Sequence, residues 1–136
     1  MQTLRTSDTN RLLISVLDNE PQFCKALARL LETYDFEVST FTRGEEFLEA
    51  CALRLPDCLL LDLDMPCLNG FEVLKRIAVK HVPVLVITGR DQPGIAQHVQ
   101  ALGASDYLLK PVDETRLLDA IRAAIEPKFR TCSSRE

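Results

Sequence analysis

The sequence predicts an α/β domain: a doubly wound (βα)5 chain with a five-stranded parallel sheet in the order 2-1-3-4-5. Three observations lead there. Short aliphatic runs alternate with helical patterns down the whole chain. The runs begin near residues 12, 37, 58, 84 and 106, which leaves room in each crossover for one helix. Most runs are almost wholly aliphatic, as strands covered on both faces are. At 136 residues and 46% hydrophobic composition, the chain has material for one buried core and shows no repeat, linker or second domain.

Leu12 to Leu17 (LLISVL) opens the pattern as the first strand. Pro21 then starts a helix where its missing N–H costs nothing. Phe23, Leu27, Leu30, Leu31 and Tyr34 recur on one face of that helix. Glu37 to Phe41 (EVSTF), rich in β-branched and aromatic residues, is the second strand. Thr42 and Glu45 have the spacing of a capping box for a helix through about Ala50.

Pro56 marks the turn into the third strand, Cys58 to Asp62. After Gly70, Leu74, Ile77 and Ala78 form the buried stripe of a third helix. Val84 to Thr88 is the fourth strand, behind Pro83, and a weaker helix follows from about Gly94 to Leu102. Gly103 suits the left-handed position that ends it. Asp106 to Lys110 is the fifth strand, and Asp113 caps a last helix that turns Leu117, Leu118, Ile121 and Ile125 inward. Met1 to Asn10 reads as a disordered leader, residues 11 to 125 as the domain, and Glu126 to Glu136 as a polar tail.

Composition excludes several functions. A net charge of −4 gives no overall attraction for nucleic acid or an anionic membrane, and no nucleic-acid-binding motif is present. No apolar run is long enough to cross a bilayer, and the first ten residues lack the hydrophobic centre of a secretory signal. The five cysteines, at 24, 51, 58, 67 and 132, are odd in number and form no Cys-x-x-Cys pair. Cys51 and Cys58 read as small core residues, and free thiols of this kind suit a reducing cytoplasm. His81 and His98 have no zinc spacing and read as packing or solvent-facing side chains.

In such sheets ligands bind beyond the carboxyl ends of the strands, where the strand order reverses. Strand one ends in Asp18-Asn19-Glu20, strand three in Asp62-Leu63-Asp64, strand four in Thr88-Gly89 and strand five in Lys110-Pro111. Two carboxylates at neighbouring strand ends repel each other unless a cation compensates. Asp18, Asp62 and the amide oxygen of Asn19 offer hard oxygen ligands of the kind Mg2+ accepts. Lys110 adds a positive charge and Thr88 a hydroxyl, a set that suits a phosphoryl group on Asp62. Singly, each residue could be a cap or a surface charge. Together, at four strand ends on one edge, they form a constellation.

On these residues the sequence resembles the receiver domain of bacterial two-component response regulators, of the chemotaxis-type, flavodoxin-like topology. The resemblance spans roughly residues 11 to 125 and rests on Val16-Leu17-Asp18-Asn19-Glu20, Leu61-Asp62-Leu63-Asp64-Met65-Pro66 with Gly70, Thr88-Gly89 and Tyr107-Leu108-Leu109-Lys110-Pro111. It implies that Asp62 accepts a phosphoryl group from a sensor histidine kinase or phosphotransfer protein, using Mg2+. It further implies that Asp18, Asn19, Asp62 and the backbone carbonyl of Asp64 hold the metal, while Thr88 and Lys110 bind phosphoryl oxygens. Tyr107 matches the aromatic that turns inward with Thr88, and the Lys110–Pro111 bond would be cis. The fourth and fifth helical segments would form the partner surface and could pair two copies.

Three departures from the family pattern stand out. Asn19 replaces a second acid, so Mg2+ affinity should be weaker. Cys67 stands where glycine is common. Asp64 and Arg90, each two residues past a site residue, should tune the lifetime of the acyl phosphate. Two other readings are a receiver-like module that is never phosphorylated and a haloacid-dehalogenase-type phosphatase. The phosphatase would need an acidic pair downstream of Lys110, where the nearest acids are the scattered Asp113, Glu114 and Asp119.

Overall fold

The computed structural model describes residues 11–64, 70–89 and 91–133, with side chains through Ile125. Met1 to Asn10, Cys67 and Arg90 lie outside the described residues. The elements follow in the order β1 (Leu13–Leu17), α1 (Pro21–Glu32), β2 (Glu37–Phe41), α2 (Gly44–Leu53), β3 (Cys58–Leu61), α3 (Gly70–Ala78), β4 (Val84–Thr88), α4 (Ile95–Ala101), β5 (Asp106–Leu109) and α5 (Glu114–Ser133). All strand pairs are parallel, and the sheet order is β2-β1-β3-β4-β5.

Alternation along the strands sorts the core into two layers, because successive side chains point to opposite faces. Ile14, Val16, Cys58, Leu60, Leu85, Ile87 and Leu108 pack with α1 and α5. Leu17, Leu59, Leu61, Val84 and Val86 pack with Phe47 of α2, with α3 and with α4. Strands β1, β3 and β4 are therefore buried throughout, whereas the edge strand β2 is only half-buried.

Several local expectations shift. Cys24, Leu27 and Leu31 form the buried stripe of α1, while Phe23 and Leu30 are half-buried. Tyr34 falls beyond the end of the helix, is 39% exposed, and donates its hydroxyl to Glu114 Oε2 at 2.5 Å. The capping box at Thr42 is not formed. Helix α2 starts one residue later, with Arg43 at its N-cap and no side-chain cap, and runs on to Leu53. Val73 joins Leu74 and Ile77 in the α3 stripe, and Ala78 is half-buried. The backbone expected as a polar tail continues α5 to Ser133.

Other expectations hold. Asp113 Oδ2 accepts the Arg116 N–H at 2.9 Å and caps α5. Gly103 has φ +115° and closes α4. Cys58 is buried and Cys51 half-buried, and the exposed His98 lies against the Phe71 ring at 5.2 Å.

Gly70 is the tightest joint between a helix and the sheet edge. A Cβ there would lie 2.4 Å from Leu63 Cα, 2.6 Å from the Asp62 carbonyl oxygen and 2.9 Å from that of Leu63. All three are backbone atoms, so α3 can seat against the chain after β3 only without a side chain at this position. Replacing Gly70 by Ala should lower stability by about 1–3 kcal/mol, read as a reduced urea midpoint, and should displace the backbone resonances of Asp62 and Leu63.

Candidate functional site

Strands β1 and β3 are neighbours, yet the chain leaves β1 toward β2 on one side and β3 toward β4 on the other. Their carboxyl ends thus flank the crevice where ligands bind in such sheets. The ladder continues one residue past each end. The Asp18 N–H donates to the Phe41 carbonyl at 3.1 Å, Asp62 N–H to that of Leu17 at 2.9 Å, and Lys110 N–H to that of Thr88 at 2.9 Å. Three charged side chains are positioned by backbone bonds to adjacent strands. Asp18, Asp62 and Thr88 are buried, with 1%, 4% and 0% of their surface exposed.

The two carboxylates are held alike. Asp18 Oδ1 accepts the Glu20 N–H at 2.9 Å, and Asp62 Oδ1 accepts the Asp64 N–H at 3.1 Å. Each Oδ2 turns toward Lys110, whose Nζ lies 2.8 Å from Asp18 and 3.9 Å from Asp62. The shorter contact is an ion pair lacking hydrogen-bond alignment, so Asp18 Oδ2 is buried with no aligned donor. Lys110 also reaches Glu20 Oε1 at 3.2 Å, and its Nζ sits 4.3 Å from the centre of the Phe23 ring. The Lys110–Pro111 bond is cis.

Electrostatics follow from this packing. Burial pushes the Asp62 carboxyl above the ordinary aspartate value; the Asp64 N–H works against that, the Asp18 charge adds to it, and Lys110 offsets only part. Burial alone would lower the Lys110 ammonium, but Asp18, with help from Asp62 and Glu20, raises it. The Cys24 thiol, which donates to the Asp18 carbonyl at 3.3 Å, is pushed up by burial and then by the Asp18 charge.

Asp18 and Asp62 are therefore both brought against Lys110, with Thr88 fixed beside Lys110 through the backbone. Asn19 and Asp64 sit at the exposed rim next to the two buried acids. Tyr107 is half-buried and pairs with Val86, which shares a strand face with Thr88. Sequence marks Glu20 and Phe23 only as a motif residue and a helix-face residue, not as partners of Lys110; an acid next to a strand end and an aromatic in the first turn of the following helix were the available signals. Among the described residues no three His, Cys, Asp or Glu side chains gather into a metal cluster. Two carboxylates, hard oxygens at the rim and an Asp18 oxygen without an aligned donor nevertheless fit one small hard cation that retains water ligands.

Of the acids nearest Lys110 downstream, Asp113 caps α5 and Glu114 accepts from Tyr34, so this adjacent pair is engaged away from the site. No helix among the described residues is long and apolar enough to cross a membrane.

A doubly wound sheet with two buried acids and a lysine at its switch point is the architecture of a receiver type of signalling domain. Residues 14–122 match the response regulator receiver domain family, and the chain belongs to it, as a receiver domain of two-component systems. It is 33% identical over 116 residues to the transcriptional regulatory protein FixJ of Azorhizobium caulinodans, covering 84% of this chain and 55% of that one. It is 32% identical over 116 residues to the protein PilH of Pseudomonas aeruginosa, covering 82% of this chain and 96% of PilH. The chain thus spans about half of one relative and nearly all of the other. Among solved structures, a response regulator receiver domain protein from Clostridium thermocellum superposes with a TM-score of 0.80 at 31% identity, covering 86% of this chain and 96% of that one.

The raised Asp62 carboxyl gives a signed prediction. The folded state binds this proton more tightly than the unfolded state, so stability falls as pH rises from the ordinary aspartate value through the folded one. Asp62→Asn should therefore be more stable than wild type at neutral pH, with the gap closing as pH is lowered toward the ordinary aspartate value. Thermal melts over that interval check it.

Proposed function

We propose that this domain accepts a phosphoryl group on Asp62 from a sensor histidine kinase or phosphotransfer protein, in the cytoplasm, and passes the change on through its α4 and α5 surface. The observation that supports this most is the position of Asp62 Oδ2: buried beside a second carboxylate, with a lysine 3.9 Å away and its partner oxygen already bonded to the backbone.

In the transfer, Asp62 Oδ2 forms a bond to phosphorus. The bond from phosphorus to the donor nitrogen breaks, and the imidazole leaves with that electron pair and takes up a proton. Lys110 and the Thr88 hydroxyl donate to the phosphoryl oxygens and balance their charge. Asp18, Asp62, Asn19 and the Asp64 backbone carbonyl would hold Mg2+, which supplies further charge neutralisation there. Drawing Thr88 toward the phosphoryl group vacates space on the face it shares with Val86, where Tyr107 can turn inward. Beyond its own phosphorylation and dephosphorylation the domain performs no catalysis. It binds neither nucleic acid nor membrane by itself, and two copies pair through α4 and α5.

Incubation with Mg2+ and a small phosphodonor, followed by intact mass, tests the reading. One phosphoryl group should appear on the wild type and none on Asp62→Ala; an unmodified wild type would favour the receiver-like interaction module. Asn19→Asp, which adds a charged ligand, should lower the Mg2+ concentration for half-maximal phosphorylation about tenfold, measured by titrating the metal at fixed donor.

A further inference from the structure

Glu20 belongs to the motif after β1 but has no role in the transfer described above. Its side chain is 62% exposed, and its Oε1 lies 3.2 Å from Lys110 Nζ. Its own N–H donates to Asp18 Oδ1 at 2.9 Å, and Asp18 Oδ2 lies 2.8 Å from the same Nζ. Asp18, Lys110 and Glu20 therefore form a closed ring, in which one residue grips Asp18 through its backbone and Lys110 through its carboxylate.

An ammonium has three N–H bonds to give. Here its two nearest acids are Asp18 and Glu20, and the Phe23 ring covers a further side at 4.3 Å. Asp62, at 3.9 Å, is the most distant of its three acids. The lysine is drawn toward Asp18 and the start of α1, at the expense of a closer contact with Asp62.

We propose that Glu20 is a positioning residue, a clasp that holds Lys110 on Asp18 and restrains it from Asp62 until the phosphoryl group draws it away. This rests on the reading that Lys110 serves the phosphoryl oxygens. Because Glu20 is exposed, the clasp is weak and open to salt. It sets a rate rather than blocking the reaction.

The test compares the full chain with its Glu20→Gln variant, using acetyl phosphate and Mg2+. The variant should gain the phosphoryl group about two- to five-fold faster at low ionic strength, and the gain should fade toward none in high salt. An equal or slower rate, or a gain indifferent to salt, overturns the clasp. A second readout needs no phosphorylation. By NMR of the lysine ammonium nitrogens, Lys110 should give a slowly exchanging signal in the wild type that broadens away in Glu20→Gln. Identical signals in both proteins overturn the clasp even where phosphorylation proceeds. A wild type that takes no phosphoryl group yet shows the ammonium difference would sink the proposed function, and with it the rate effect, and leave standing only the hold of Glu20 on Lys110.

Discussion

The site depends on two carboxylates being kept apart in charge though not in space. Asp18 and Asp62 end neighbouring strands, both nearly out of water, and each places one oxygen on a backbone N–H. Removing two like charges from water is costly unless a cation accompanies them. Lys110 is that cation in the resting protein, and it pairs far more closely with one acid than with the other. The unequal pairing leaves Asp62 with the less compensated charge.

The scaffold explains how this arrangement persists. Each charged residue sits one step past a strand and is held by a ladder bond to its neighbour, so its position follows from the sheet rather than from loop conformation. Behind Asp62, Gly70 lets α3 approach the backbone more closely than any side chain would allow. A site carried on sheet and helix ends is set more precisely than one carried on a loop alone.

Much of this was legible in the sequence. Strands such as Val84–Thr88 are aliphatic from end to end, and the polar residue closing each run marks the edge of the sheet. The strand ends therefore gave Asp18, Asp62, Thr88 and Lys110 directly. Helix boundaries were harder, for a physical reason. Thr42 has the right side chain for a cap, but the turn after β2 places Arg43 at the cap position, and sequence spacing cannot see that one-residue offset. Tyr34 fits the helical period of α1 yet falls past its end, where it meets Glu114 from far along the chain. Glu20 and Phe23 were hidden likewise: their role depends on where Lys110 points, and Lys110 lies 90 residues from Glu20.

The odd–even sorting of the strands reaches further than core packing. Val16, Leu60 and Leu108 belong to the layer of α1 and α5, and the alternation carries that side on to Asp18, Asp62 and Lys110. Thr88 continues the parity of Val84 and Val86, and Tyr107 packs in their layer, with α2, α3 and α4. The sheet thus acts as a partition. Charge is gathered in one compartment, while the hydroxyl and aromatic that could register a change there lie in the other. The crevice at the strand ends borders both. Under the proposed function, mutations that loosen or stiffen the α4 compartment would retune the response without touching the two acids, so the two properties are free to diverge separately.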